Sequence, residues 1–269
     1  MGTVHWRKTD ARYKKGFPMT VAVPTITDVV FDFCGVLLDW RTRACLEGRF
    51  DDATVDRICA DDDPCGFFGY EDRMDAGEDF DSIWPDVVAE QGERVAGIFR
   101  YYIAHYDDAL PRMLPGMERL LRDLKAAGYG VWGLTNWSHE TFHFAFEKFP
   151  QLAELLQGTV VSGVEKMHKP NADIYELAMS RFGLSPESSV FLDDTAKNVA
   201  GARSAGMHAF RFVDADQARR TWNPWACACE RGGRTPASRG TGLGHAPISS
   251  SAVGRTSTDR VSTMQNEAL

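Results

Sequence analysis

Polar groups follow four strand-like segments of this sequence, and their types suit chemistry on a small anion. The groups are Asp32, the pair Thr135 and Asn136, Lys169, and the pair Asp193 and Asp194. The carboxyl ends of parallel strands meet at one edge of a sheet, so these groups can converge although they are far apart in sequence. Carboxylates at such an edge could hold a divalent cation, which would supply positive charge to an anionic substrate.

Asp32 lies in the segment 29–40, VVFDFCGVLLDW. An apolar and β-branched run ends at Asp32, and Gly35 follows three residues later. The pattern predicts a buried parallel strand that delivers a carboxylate to a tight loop. Asp32 could instead only cap that strand, but the three other polar groups favour a functional role.

Strands and helices alternate along the chain from residue 115. Strands are predicted at 131–134, 159–162, 190–192 and 208–212. Helices are predicted at 117–127, 139–149, 173–182 and 196–205. This alternation indicates an α/β fold, a doubly wound parallel sheet with right-handed crossovers.

Residues 41–112 interrupt that alternation. Helical spacing of apolar residues at 41–60 and 82–106 flanks a stretch, 61–81, that resembles a loop. We expect a small helical cap that covers the edge carrying Asp32. The predicted organisation is a basic arm at 1–25, a core at 26–40 and 113–213, the cap at 41–112, and a mostly disordered tail at 214–269.

The charge distribution argues against nucleic acid as a partner. The formal net charge is -8, and residues 26–213 alone hold 18 basic and 32 acidic residues. Phosphate backbones are bound by basic surfaces, so an acidic body disfavours them. No apolar run is long enough for a membrane span or a secretory signal, and the six cysteines form no CxxC pair, so we expect a cytoplasmic protein with free thiols.

Four motifs in this order resemble the signature motifs of the haloacid dehalogenase superfamily. They are FDFCGVL, LTNW, HKPNADIY and FLDDTAKNVAGA, and the resemblance covers about residues 26–213. Within the superfamily the chain looks most similar to phosphatases whose first motif reads FDxGGVLLDW, a branch that includes sugar-phosphate phosphatases. The resemblance implies a Rossmann-like core, with the Asp32 strand in its middle, and phosphoryl transfer through an aspartyl-phosphate.

The resemblance also implies residue roles. Asp32 would be the nucleophile, and Mg²⁺ would be held by Asp32, the Cys34 carbonyl, Asp193 and Asp194. From spacing alone, Asn198 lies four residues after Asp194, on the same face of an opening helical turn, and could orient it. Thr135 and the backbone of Asn136 would donate hydrogen bonds to the phosphoryl oxygens, and Lys169 would neutralise charge between Asp32 and the phosphate. The candidate substrate contacts are Arg73, Asp75 and Trp137.

One position departs from the pattern of most phosphatases in the superfamily. They carry a second aspartate two residues after the nucleophile as general acid and base, where this chain has Cys34. A thiol is a poor proton shuttle for an alcohol leaving group.

The leading hypothesis is a Mg²⁺-dependent phosphatase acting on a small phosphate monoester, with sugar phosphates as one candidate class. The alternatives are a 2-haloacid dehalogenase, whose halide leaving group needs no acid, and a catalytically weak binding or regulatory protein. The sequence predicts no oligomeric state.

Overall fold

The computed structural model describes residues 25–221, and its centre is a sheet of five parallel strands. In chain order the strands are β1 (Asp28–Phe31), β4 (Gly130–Thr135), β5 (Thr159–Val161), β6 (Ser189–Asp193) and β7 (His208–Arg211). Their spatial order is β5-β4-β1-β6-β7, so β1 is central and the order reverses beside it. The predicted doubly wound parallel sheet is confirmed.

The central strand is buried on both faces because helices cover both sides of the sheet. Val29 is paired with Val131 of β4 and Val190 of β6, and all three residues have no exposed surface. Six core helices contribute to the two layers. They are α5 (Met117–Ala126), α6 (His143–Lys148), α7 (Gln151–Leu155), α8 (Ser162–Glu165), α9 (Ala172–Phe182) and α10 (Ala196–Ser204). The four predicted helices correspond to α5, α6, α9 and α10 to within a few residues, whereas the short helices α7 and α8 were not predicted.

A helical insertion follows β1, as the sequence predicts. Its entry and exit are joined by a short antiparallel pair, β2 (Leu38–Asp39) and β3 (Arg112–Met113), which was not predicted. Between them lie α1 (Thr42–Leu46), α2 (Asp52–Ile58), α3 (Phe67–Asp75), α4 (Phe80–Ala104) and a 3₁₀ turn at Tyr106–Ala109. We call residues 42–109 the helical insertion.

The prediction of a loop throughout 61–81 is wrong, because α3 occupies its middle. The carboxylate of Asp63 caps this helix by accepting from the backbone N–H groups of Phe67 at 2.6 Å and Gly69 at 3.0 Å. Phe67 is fully buried, with its ring centroid 4.9 Å from that of Phe99. A side-chain cap and one aromatic anchor therefore outweigh the two glycines that suggested a loop.

The C-terminal prediction also needs one correction. Residues 215–221 form a helix rather than a disordered start of the tail. Ala215 and Ala218 are buried, and Arg219 forms an ion pair of 2.7 Å with Asp123 of α5. Two alanines gave too little apolar periodicity to reveal this helix. The predictions for residues 1–24 and 222–269 concern parts of the chain outside the described residues.

Two further observations concern the described residues alone. Their four cysteines, Cys34, Cys45, Cys59 and Cys65, are free thiols, as predicted. None of the helices within 25–221 combines the length and the apolar character that crossing a membrane requires.

Candidate active site

Three charged groups from different motifs meet at the carboxyl edge of the sheet. Lys169 Nζ lies 2.8 Å from Oδ1 of Asp32 and 2.7 Å from Oδ2 of Asp193. Asp32 directly follows β1 and Asp193 ends the neighbouring β6, while Lys169 comes from the loop before α9. Lys169 and Asp193 have no exposed surface and Asp32 is 7% exposed. The sequence prediction that these groups converge is therefore correct in its geometry.

Burial sets the protonation behaviour of this cluster. It raises the pKa of Asp32 to about 7, with the nearby Asp193 carboxylate adding to the increase and Lys169 opposing it. For Lys169, burial lowers the pKa, but the carboxylates of Asp32 and Asp193 raise it by more, so the net shift is upward. Lys169 therefore stays charged and is the cation that compensates the two buried acids.

Asp193 is held by several donors besides Lys169. The Thr195 N–H donates to its Oδ1 at 2.7 Å, and Asn198 Nδ2 lies 3.2 and 3.0 Å from the two oxygens. The expectation that Asn198 orients Asp194 is wrong, because its amide bonds Asp193 instead. Helix α10 begins at Ala196, and its first turn places Asn198 under the first acid of the pair.

The carboxylates of Asp32, Asp193 and Asp194 fit a divalent cation. One oxygen of each lies within 4.8 Å of the others. Burial raises the pKa of Asp194, and the neighbouring Asp193 charge raises it further, which a bound cation would offset. Gly35, with φ of +80°, leaves room for this carboxylate, since a β-carbon there would lie 2.5 Å from Oδ2 of Asp194. Oxygen ligands of this kind suit Mg²⁺.

Asn136 ties the loop after β4 to the loop that carries Lys169. Its Oδ1 accepts from the Lys169 N–H at 2.9 Å, and its Nδ2 donates to the Lys169 carbonyl at 3.0 Å. Thr135 is fully buried at the end of β4, and its hydroxyl lies 3.3 Å from the Asn136 carbonyl. The side chain of Asn136 thus positions Lys169, a role that the sequence did not suggest.

Two of the three predicted substrate contacts are placed elsewhere. Trp137 is 1% exposed, its indole N–H donates to Thr141 at 3.0 Å, and its ring packs edge-on against Phe33. It is therefore a core residue. Arg73 forms ion pairs with Glu78 at 2.6 Å and Asp86 at 2.9 Å inside the helical insertion, and it does not line the pocket described below. Neither prediction agrees with the structure.

The third predicted contact, Asp75, lines a pocket of about 150 Å³ between the helical insertion and the Asp32 edge. Cys34 and Asn136 form its core side. Helix α3 supplies three acids, Glu71, Asp72 and Asp75, and the aromatic side chains are Trp40, Phe68 and Tyr106. Positions 68, 71, 72 and 75 have the spacing of one helix face. This spacing is present in the sequence, but it was missed because residues 61–81 were predicted to form a loop.

Burial dominates the chemistry of this pocket. It raises the pKa of Glu71 to about 7, although hydrogen bonds from Tyr102, at 2.8 Å, and Tyr106 oppose the shift. It raises the pKa of the Cys34 thiol far above its ordinary value, and the charges of Asp32, Glu71 and Asp75 raise it further. Cys34 consequently remains a thiol and does not exchange protons near neutral pH.

Comparison with known proteins agrees with this geometry. The family model described as haloacid dehalogenase-like hydrolase matches residues 29–206. The chain is 33% identical to sesquiterpene phosphatase astK of Aspergillus oryzae over 98 residues, which cover 36% of this chain and 50% of that protein. It is 31% identical to (S)-2-haloacid dehalogenase 4A of Burkholderia cepacia over 98 residues, 36% of this chain and 42% of that protein. The chain thus spans half or less of the length of these curated relatives.

A solved structure shows the same fold. It is that of HAD family enzyme bt-2542 from Bacteroides thetaiotaomicron, in complex with magnesium and inorganic phosphate. The TM-score is 0.55 at 19% identity, and the match covers 70% of this chain and 95% of that one. At this identity the likeness concerns the fold alone.

Proposed function

This chain belongs to the haloacid dehalogenase-like hydrolases, and from that membership we propose that it is a Mg²⁺-dependent phosphatase that hydrolyses a small phosphate monoester. The observation that carries the proposal is the buried contact of Lys169 with both Asp32 and Asp193, beside the carboxylate of Asp194. A phosphoryl group repels a carboxylate nucleophile, so the attack needs positive charge at that point. A sesquiterpene phosphatase among the relatives supports the same reaction class.

Asp32 is oriented for attack through one oxygen. Oδ1 accepts from Lys169 Nζ at 2.8 Å and from the Phe33 N–H at 2.8 Å, which leaves Oδ2 for the phosphorus. A new bond from Oδ2 to phosphorus forms as the bond to the leaving oxygen breaks, and water then hydrolyses the aspartyl-phosphate. Lys169, the Thr135 hydroxyl and the Asn136 backbone N–H stabilise the transferring phosphoryl oxygens.

Mg²⁺ would be held by Asp32, Asp194 and the Cys34 backbone carbonyl, with Asp193 adjacent. When bound, the ion supplies positive charge that neutralises the phosphate and allows Asp32 to approach it. The oxygens of Asp193 already accept from Lys169, Thr195 and Asn198. Asp193 therefore acts mainly by positioning Lys169, and Asp194 is the principal ligand of the pair.

The pocket favours a compact, polar leaving group. Its volume of about 150 Å³ is that of cavities that bind a single small ring. Glu71, Asp72 and Asp75 offer oxygens to hydroxyl groups, and the aromatic side chains offer apolar faces. Phosphate esters of small polyols or sugars match this lining. This inference agrees with the sugar-phosphate branch that the first motif resembles.

A 2-haloacid dehalogenase is the second candidate, because halide release needs no proton donor where the chain has Cys34 and because one relative is a dehalogenase. The pocket argues against it. A 2-haloacid is an anion, and among the described residues that line the pocket there are three acids and no lysine or arginine. Asp194, which the proposed mechanism uses only as a metal ligand, also has no role in a metal-free displacement.

The test is a turnover screen. The purified chain is assayed with a panel of sugar, polyol and nucleotide phosphates, acetyl phosphate and 2-chloropropionate, each with Mg²⁺ and with EDTA. The proposal expects phosphate release that EDTA abolishes and no chloride release. Chloride release that persists in EDTA would establish the dehalogenase. Binding of phosphate esters without turnover of either class would favour a binding protein.

A further inference from the structure

The proposed phosphatase needs a proton donor for its leaving group, and the usual position holds the inert thiol of Cys34. We propose that Asp75, supplied by the helical insertion, is the general acid that protonates the leaving oxygen and the general base that then activates water. This inference rests on the phosphatase reaction proposed above. It gives a role to the acids of the pocket, which have no part in the mechanism as described for the nucleophile, the lysine and the metal ligands.

Asp75 is the last residue of α3 and lines the pocket together with Cys34 and Asn136. The backbone N–H of Ser138 donates to its carboxyl group. The Ser162 hydroxyl donates to its backbone carbonyl, and the same hydroxyl oxygen accepts from the Trp137 N–H at 2.9 Å. Asp75 is thus fastened to the loop after β4, which also carries Asn136. A residue of the insertion is thereby held at the catalytic edge of the core.

The surroundings of Asp75 favour the protonated form of its carboxyl group. Burial raises its pKa well above the ordinary range, the charges of Glu71 and Asp72 raise it further, and the Ser138 N–H and Lys169 oppose the shift. A carboxylate at the C-terminal end of a helix is also disfavoured by the helix dipole. The groups that face it from the core are Lys169, which is committed to Asp32 and Asp193, and the Cys34 thiol.

Glu71 is the competing candidate in the same pocket. Its carboxylate accepts hydrogen bonds from the hydroxyl groups of Tyr102 and Tyr106, which fix it as an acceptor within the insertion. Within residues 25–221, the hydrogen bonds of Glu71 do not reach the core loops. We therefore assign Glu71 the role of a positioning residue, whose negative charge keeps the proton on Asp75.

In each turnover Asp75 loses one proton to the leaving oxygen and regains one from water. As Asp32 Oδ2 bonds to phosphorus, the bond from phosphorus to the leaving oxygen breaks and the Asp75 proton moves to that oxygen, giving the free alcohol and an Asp75 carboxylate. Water then attacks phosphorus, its proton returns to Asp75, and the bond between phosphorus and Asp32 breaks to release phosphate. No oxidant, reductant or further reactant is needed.

The experiment compares Asp75→Asn with the wild type on two substrates in Mg²⁺. One is the alkyl phosphate of the panel that the wild type hydrolyses fastest, whose alkoxide must be protonated. The other is acetyl phosphate, whose acetate leaves without a proton. Asparagine keeps the size of the side chain and can still accept from Ser138. Glu71→Gln tests the competing acid, and Glu93→Gln, an exposed position on α4, is the matched control.

We expect kcat/KM of Asp75→Asn to fall by about 10² to 10⁴-fold for the alkyl ester, the range typical of general acid catalysis, and by less than about tenfold for acetyl phosphate. The value of kcat/KM reports only the steps up to phosphoryl transfer to Asp32, so it does not measure the general-base step. Loss of the general base should appear instead as accumulation of phosphorylated Asp32 during acetyl phosphate turnover. Glu93→Gln should match the wild type.

Four results would overturn the assignment. They are equal losses on both substrates, no loss on the alkyl ester, a selective alkyl loss in Glu71→Gln instead, and a wild type that hydrolyses acetyl phosphate but no alkyl ester. The first three results leave the phosphatase proposal standing, whereas the fourth would also remove alkyl phosphate monoesters as its substrates. A wild type inactive on every phosphate compound would overturn both proposals.

Discussion

The ammonium group of Lys169 lies 2.8 Å from Oδ1 of Asp32, and neither side chain is exposed by more than a tenth. The same ammonium contacts Asp193 at 2.7 Å, so one buried cation serves two buried carboxylates. Burying an ammonium group or a carboxylate costs free energy unless an opposite charge lies beside it, and removal of either partner leaves an uncompensated buried charge. Lys169 therefore links the proposed nucleophile Asp32, which follows β1, to Asp193, which ends β6.

Substitution of that cation should affect both stability and activity. In Lys169→Met the carboxylates of Asp32 and Asp193 lose their compensating charge, so we expect the free energy of unfolding at pH 8 to fall by about 3 kcal/mol. Phosphatase activity should fall by at least about 10³-fold, as for loss of a group that stabilises transition-state charge. Urea unfolding and kcat/KM measure the two effects. Lys148→Met, at an exposed site, is the control, and equal stability of the two variants would contradict the account.

Asn198 should act on the metal site through Asp193. Its amide donates to both oxygens of that carboxylate, so Asn198→Ala frees Asp193 to shift relative to Lys169 and Asp194. Loss of a hydrogen bond that supports a metal ligand typically weakens metal affinity by about 10 to 100-fold, and because Asp193 lies beside the ion and is not its principal ligand, we expect the lower end of that range. The Mg²⁺ concentration that gives half-maximal activity should rise accordingly. Asn171→Ala, at an exposed site before α9, should leave it unchanged; a similar rise there would refute the specific role of Asn198.

Glu71 should make stability depend on pH. Its folded-state pKa of about 7 lies above the ordinary value of 4.5, so the folded protein binds more protons than the unfolded chain between those pH values. Stability contributed by this group is therefore present at pH 4.5 and lost as pH rises to about 7. Glu71→Gln removes that loss, so its stability relative to the wild type should be greater at pH 8 than at pH 5, by roughly 1 to 3 kcal/mol.

Urea unfolding in EDTA at both pH values measures this difference. Glu93→Gln, at an exposed position, controls for the loss of one negative charge. If the stabilities of the two variants show the same pH dependence relative to the wild type, the burial of Glu71 is not the cause of that dependence.

The parts of the site that lie at strand ends could be predicted from the sequence. Asp32 and Asp193 each terminate a short run of apolar residues, and a parallel sheet aligns such ends on one edge whatever their separation in sequence. Lys169 could be included because it lies in the loop after the predicted strand at 159–162, and the resemblance to known motifs gave it a role. No pattern in its own neighbourhood required the 2.7 Å contact with Asp193.

Side chains whose roles depend on three-dimensional packing were harder to predict. Trp137 directly follows a site residue, yet the chain turns there and its ring enters the core beside Phe33. Asn198 could be placed near the acid pair, but which acid it contacts depends on where α10 begins. The acidic face of α3 was hidden because Gly66 and Gly69 suggested a loop, and the cap from Asp63 that starts the helix is a tertiary detail.

The central claim is that Asp32 receives the phosphoryl group, and its most direct test is to trap that group. The wild type is quenched in acid during turnover of acetyl phosphate with Mg²⁺, treated with borohydride, which converts an aspartyl-phosphate to homoserine, and mapped by peptide mass spectrometry. The account predicts homoserine at position 32 in the wild type and none in Asp32→Asn, which should be inactive. Modification at another residue, or full activity of Asp32→Asn, would contradict it.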